Sequence, residues 1–327
     1  MKILKRAALV ALVSLCALTP LVSRAETEQK PSFDHVYVIV LENHSFDDAL
    51  FGPASFLRGL AQKQGLATFY FGVTHPSLPN YLAMVAGDDF GIRANRPSCF
   101  ASDLPDKAAC HAPEGRTIVD QLEEKGLTWA LYAGDLPQTG SLVMEAPSGE
   151  SRALYVQKHN PFAYFRQIAG NAARRAMMKP LGDLDKDLSA SPPNFAFIVP
   201  NQCNDGHGLA VCPDASDLAT RFDRFAETIV EKIRSSRAWT GRSAIFITFD
   251  EGLPPRSGGP KYAGCCGDSG GHHVATIVVS KCGKPVRSAK ALDHYSLLAT
   301  IEDGFGLPRL AKAADADTLS ELVGDRC

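Results

Sequence analysis

The stretch His35-Val36-Tyr37-Val38-Ile39-Val40-Leu41 runs directly into Glu42-Asn43-His44-Ser45-Phe46-Asp47. After the leading histidine every residue of the run is apolar or aromatic, and Val36, Val38, Ile39 and Val40 are β-branched. A strand with one wet face alternates apolar and polar positions, whereas an unbroken run predicts a strand covered on both faces. Thr128 to Tyr132, Phe195 to Val199, Ala244 to Phe249 and Val274 to Ser280 read the same way. Helical patterns separate them. From about Asp217 to Ala238, Leu218, Phe222, Phe225, Ile229 and Ile233 recur at helical spacing with a charged opposite face. Shorter helices are predicted from about Thr117 to Lys125, ahead of Gly126, and from Asp293 to Asp303, ahead of Gly304. This alternation predicts an α/β fold, a three-layer sandwich with a mostly parallel central sheet between helices.

The chain has 327 residues, 34 basic and 36 acidic side chains and a formal net charge of −2. With no dense Lys/Arg stripe, it lacks the electrostatic footprint of a nucleic-acid binder. Lys2, Lys5 and Arg6 precede the apolar run Ala7 to Val22, and Ser23-Arg24-Ala25 offers small residues for cleavage. Residues 1–25 therefore read as a secretory signal peptide, since Pro20 interrupts a run already short for a membrane anchor. No later segment is suited to stable membrane insertion, so a secreted or periplasmic protein is expected, with residues 26–327 as one catalytic domain. Nine cysteines are present. All except Cys16 lie beyond the leader and suit disulfides in an oxidising compartment. The expected pairs are Cys99 with Cys110 and Cys203 with Cys212, each bracketing a short Pro- or Gly-containing loop. Zinc is the competing reading, disfavoured by the missing C-x-x-C spacing. The loop-rich stretches Ser98 to Glu114 and Leu253 to Gly271 read as insertions.

Ligands of open α/β sheets bind outside the carboxyl ends of the strands. The first strand ends in Glu42-Asn43-His44, the Phe195 strand in Pro200-Asn201-Gln202-Cys203-Asn204-Asp205-Gly206-His207, and the Ala244 strand in Asp250-Glu251. Massed carboxylates repel unless protons or a cation intervene, so a hard divalent ion is the simplest physical account. The alternative is that each acid caps a helix or turns a loop. Thr74-His75-Pro76-Ser77-Leu78-Pro79-Asn80-Tyr81 adds a hydroxyl ahead of a predicted helix. Ser77 there is either an N-cap or a nucleophile beside an anion-binding helix end.

These segments, with Lys158-His159-Asn160-Pro161-Phe162 and His294-Tyr295-Ser296-Leu297-Leu298, resemble the ordered motifs of the phosphoesterase family of bacterial secreted acid phosphatases and phospholipases C, from about Phe33 to Pro308. The resemblance is nearest to the small acid phosphatases. It implies an alkaline-phosphatase-like fold, with Glu42, Asn43, Asp250 and Glu251 at metal-site positions and Ser77 as the nucleophile. By the same resemblance Asn43, Asp205, His207 and His159 join the catalytic group, with His207 or His159 as proton donor to the leaving alkoxide, while His294 is as well explained by helix packing. Sulfatases of this fold carry Cys or Ser followed by x-Pro-x-Arg; here Tyr81 stands at the arginine position, which favours an unmodified serine. Gly270-Gly271-His272-His273-Val274-Ala275 departs from the family pattern, and the roles of His272 and His273 stay open.

The reading is a secreted phosphatase that cleaves phosphate monoesters through Ser77 and a phosphoserine intermediate, at acidic to neutral pH. The divalent ion is magnesium, calcium or manganese in preference to zinc, because its ligands are oxygens. The partner is a phosphorylated small molecule or a phospholipid headgroup. Phospholipase C or another diesterase is the rival within this chemistry, and an exported metal-stabilised binding protein is the rival outside it.

Overall fold

The computed structural model describes residues 33–95, 115–149, 151–213, 217–253 and 271–324. The expected signal peptide, the Cys99–Cys110 pair and most of both insertions lie outside the described residues. The main sheet contains β1 (His35–Leu41), β2 (Gly65–Ala67), β3 (Trp129–Ala133), β4 (Met178–Pro180), β5 (Phe195–Val199), β6 (Ser243–Phe249), β7 (Thr276–Ser280) and β8 (Arg287–Ser288). Their order is β8-β2-β7-β6-β1-β5-β3-β4. From β6 through β4 neighbouring strands are parallel, and β7 is antiparallel to both β6 and β2. All five strands anticipated from apolar runs are present. The strands not anticipated, β2, β4 and β8, have two or three residues each, too few to carry a period.

Side-chain parity shows which helices cover which face. Phe197 and Phe246 are both in register with Val38, so all three point to one side of the sheet. On that side, Tyr81 and Phe162 lie against Phe197 at 6.1 and 6.0 Å between ring centroids, and Phe33 bridges Phe246 and Phe305. This face carries α2 (Ser77–Ala86) and α5 (His294–Phe305), with α3 (Ile118–Glu124) packed on α2. Phe249, three residues beyond Phe246, points the other way and meets Phe222 of α4 (Leu218–Ser235) at 5.3 Å. Against α4 lies α1 (Ser55–Lys63), whose first-turn Phe56 and Leu57 N–H groups both donate to the Asp223 carboxylate at 2.8 Å. Among the sequence-predicted helices, α3, α4 and α5 appear with ends shifted by one to three residues.

Cys203 and Cys212 form the expected disulfide, with Cα atoms 5.4 Å apart. It closes the loop after β5 that contains Asp205, Gly206 and His207. Cys282 is disulfide-bonded as well.

Buried in α5, Glu302 accepts a hydrogen bond from the Leu310 N–H at 3.0 Å, while its Oε2 has no donor. Burial pushes this carboxyl up to about 8 from an ordinary 4.5; the Leu310 N–H and Arg309 counter it only in part. The folded chain then holds a proton that the unfolded chain has lost between these values, so stability falls as pH rises through that window. Glu302→Gln should match the parent below about pH 4.5 and exceed it above about pH 8 by a few kcal/mol in denaturant unfolding. Parallel stability-pH curves for the two proteins would refute this.

Candidate active site

The parallel register delivers three chain segments to one edge of the sheet. Leu41 pairs with Phe249, so Glu42 and Asp250 leave the sheet side by side, and the Asp250 N–H donates to the Leu41 carbonyl at 2.9 Å. The Glu42 N–H donates to the carbonyl of Asp205 at 2.8 Å, stitching the loop after β5 to the end of β1. Gly206 is required at this crossing. It has φ of +112°, and a Cβ there would lie 2.6 Å from the Glu42 carbonyl oxygen. Asn43 follows with φ of 51°, a left-handed conformation that asparagine tolerates better than most residues, and its N–H donates to Asp250 Oδ1 at 3.1 Å.

Ser77 is the first residue of α2, and its hydroxyl turns into the site and donates to Glu42 Oε2 at 3.1 Å instead of capping the helix. Lys158 Nζ donates to the same Ser77 Oγ at 3.3 Å and lies 3.5 Å from Glu42 Oε2. The other carboxylate oxygen of Glu42 accepts from the Tyr81 hydroxyl at 2.8 Å and lies 3.0 Å from His159 Nε2. The His159 ring stacks on Tyr81 at 5.2 Å, and its Nδ1 is 3.8 Å from Asp205 Oδ2. The loop that presents Ser77 is held by buried Asn80, which accepts from the Val73 and Thr74 N–H groups and donates to the Thr74 carbonyl.

Charge at the site is unbalanced. Burial alone would raise the Glu42 carboxyl, but the His159 ring and the Lys158 ammonium outweigh it and hold Glu42 well below the usual carboxylate range. Asp205 is pushed well above that range by burial and then by the Glu42 charge, and Asp250 by burial, Glu42 and Glu251. Burial keeps the His159 ring neutral, down to about 4. Asn43 Oδ1, Asp205 Oδ2 and Asp250 Oδ2 are buried acceptors with no donor. These three oxygens, beside more acids than cations, suit a hard divalent ion. Among the described residues no group of three or more His, Cys, Asp or Glu side chains is arranged to hold an ion ready-made.

Of the residues singled out from sequence, Glu42, Asn43, Ser77, His159, Asp205 and Asp250 converge. Glu251 faces a neighbouring group: its Oε2 lies 2.9 Å from His75 Nδ1 and 3.3 Å from Asn80 Nδ2, and His75 Nε2 meets His272 Nδ1 at 2.7 Å. The N–H of His207 donates to Asp205 Oδ1 at 2.7 Å, while its ring is exposed beside the Gly208 carbonyl. His294 is buried, 2.5 Å from the Asp250 carbonyl and 3.0 Å from the Tyr70 hydroxyl, and burial lowers it to about 4. It props the backbone of Asp250 as a neutral ring. His273 stacks on Phe46 at 4.5 Å and bonds the Thr68 carbonyl. Lys158, Tyr81, Asn80 and His75 were given no role from sequence. Each stands within a quoted motif, yet none carries a spacing that marks it as a site residue.

The fold is similar to that of solved structures, among them a member of the alkaline phosphatase superfamily. A protein of that superfamily from Vibrio parahaemolyticus superposes with a TM-score of 0.55 at 12% identity, over 90% of this chain and 71% of that one. Murine ectonucleotide pyrophosphatase/phosphodiesterase 5, an inactive variant in complex with AMP, gives 0.53 at 13% identity, over 86% and 99%. The chain belongs to the Phosphoesterase family, whose model matches residues 53–308. It is 29% identical to a probable acid phosphatase of Kluyveromyces lactis, over 90% of this chain and 63% of that protein. It is 27% identical to the phosphatidylinositol-3-phosphatase of Mycobacterium tuberculosis, over 90% and 84%. This chain thus spans a little under two thirds of the length of the fungal relatives it matches.

The unpartnered oxygens make a prediction that does not depend on turnover. Chelator-treated protein should gain stability on adding magnesium, calcium or manganese, by about 2.7 kcal/mol at a hundredfold excess over Kd. The double variant Asp205→Asn, Asp250→Asn should be more stable than the parent in chelator, having lost the repulsion, and should gain nothing from the ion. Thermal unfolding with and without ion checks both; a parent indifferent to every ion would remove the metal site.

Proposed function

We propose that this protein is a metal-assisted phosphatase that hydrolyses phosphate monoesters through Ser77. The observation that carries the reading is the buried Ser77 hydroxyl, hydrogen-bonded to Glu42 Oε2 and contacted by Lys158 Nζ, which lies beside both oxygens. A capping or purely structural serine has no need of an ion pair closing on its oxygen. The names of the relatives, acid phosphatases and a phosphoinositide phosphatase, support the same chemistry.

In the proposed reaction the Ser77 oxygen attacks phosphorus in line with the leaving oxygen. A bond forms between Oγ and phosphorus, the bond from phosphorus to the leaving oxygen breaks, and water later releases phosphate from the phosphoserine. Glu42 Oε2 accepts the Ser77 hydrogen bond and orients the hydroxyl; held well below the usual carboxylate range it keeps its own charge, and the Ser77 proton passes to solvent water during attack. Asn43 offers an amide to a phosphoryl oxygen. The proton for the leaving alkoxide comes from His207, whose ring is exposed at the rim. His159, enclosed and neutral, serves to pack Tyr81 and Glu42. A divalent ion would be held by the unpartnered oxygens of Asn43, Asp205 and Asp250, with Glu42 and Glu251 adjacent, and would supply charge neutralisation at the phosphoryl oxygens when bound.

Export to a secreted or periplasmic location belongs to this reading. The Cys203–Cys212 disulfide supports it. Among the described residues no helix is long and apolar enough to cross a membrane.

Ser77→Ala should still fold, with an unfolding midpoint lowered by the loss of one donor to buried Glu42, while lowering phosphate release from an aryl monoester by at least about 10³-fold. A variant that keeps more than about a tenth of the parent rate would exclude Ser77 as the nucleophile.

A further inference from the structure

Among the described residues Lys158 is a cation of the site to which the reaction above gives no part. It stands in the one-turn 3-10 helix Gln157–His159, which packs on α2, and its side chain is only 12% exposed. Burying a lysine is costly unless the ammonium is paired. The obvious partner is Glu42. Yet Ser77 and Tyr81 already donate to that carboxylate, and the Lys158 ammonium approaches it at 3.5 Å while making its hydrogen bond to Ser77 Oγ at 3.3 Å. An ammonium has three N–H donors. Among the described residues one of them is assigned, and it is aimed at the attacking oxygen.

We propose that Lys158 is a catalytic residue that grips the non-bridging oxygens of the transferred phosphoryl group and so selects dianionic monoesters over monoanionic diesters. The inference rests on Ser77 being the nucleophile. An atom within hydrogen-bond distance of the attacking oxygen is also within reach of the oxygens on phosphorus, because reacting atoms sit about 3–3.5 Å apart before attack. In-line geometry puts the leaving oxygen on the far side of phosphorus, so Lys158 meets the equatorial oxygens. In a monoester those three oxygens share two negative charges. In a diester one equatorial position is a neutral ester oxygen and the remaining two share a single charge. A fixed ammonium in an enclosed site therefore favours the monoester, whose equatorial oxygens carry the larger total charge in the ground state and in the transition state.

The test compares Lys158→Met, Lys158→Gln and Lys158→Arg with the parent on para-nitrophenyl phosphate and on its methyl diester. The neutral variants should lose about 10²–10³-fold in kcat/KM on the monoester and less than about tenfold on the diester, and the arginine variant should retain the parent's ratio. Inorganic phosphate should also bind at least about tenfold more weakly to Ser77→Ala, Lys158→Met than to Ser77→Ala alone, a readout that needs no turnover. Equal losses on both esters with unchanged phosphate affinity would overturn the proposal and leave Lys158 as a charge partner of Glu42. Turnover that survives Ser77→Ala would instead overturn the nucleophile assignment, whatever the lysine variants do.

Discussion

Glu42 has no exposed surface, and an ionised carboxylate in that position is tolerated only if donors and cations surround it. Ser77 and Tyr81 donate to it from α2, Lys158 and His159 approach from the 3-10 turn at Gln157–His159, and its own N–H is tied to the loop after β5. Three parts of the chain that lie far apart in sequence are thereby fastened to the end of β1. Hydrogen bonds to a charged acceptor are the stronger kind, and a partner removed from a buried charge costs more than the bond itself. The position of the Ser77 hydroxyl follows from this arrangement.

A second consequence is electrostatic. Burial, and then the charge that Glu42 keeps, drive the neighbouring Asp205 and Asp250 toward their protonated forms. The sheet edge is therefore built with more carboxylate oxygen than the protein's own cations satisfy. Such a site stores a preference for something positive. The supporting structure keeps it from relaxing: His294 props the Asp250 carbonyl, Asn80 fixes the turn before Ser77, and Gly206 permits the loop to cross over Glu42.

Much of this was legible in the linear chain. Strands buried on both faces appear as unbroken apolar runs, and α4 shows a clean three- and four-residue period, so the α/β alternation could be read directly. The chemistry-bearing residues Glu42, Asp205 and Asp250 are marked by following such runs at once or nearly so. The short strands β2, β4 and β8 escaped because two or three residues hold no period, and they are made by pairing with longer neighbours. Lys158 and Tyr81 escaped for a different reason. Lysine beside histidine, and tyrosine within an apolar helix, are ordinary surface and core patterns until something is known to lie opposite them.

The sequence by itself determined the layer architecture, the order of the strands' polar ends and the presence of a serine ahead of a helix, because these depend on period and adjacency along the chain. The tertiary structure alone decided that Lys158 and Ser77 touch across a separation of 81 residues. It also decided that Glu251 turns to His75 and that His294 is a neutral prop. Those outcomes depend on which faces of the sheet the helices cover and on how far each strand is offset from its neighbour. Both are set by packing between distant segments, a quantity that no local pattern encodes.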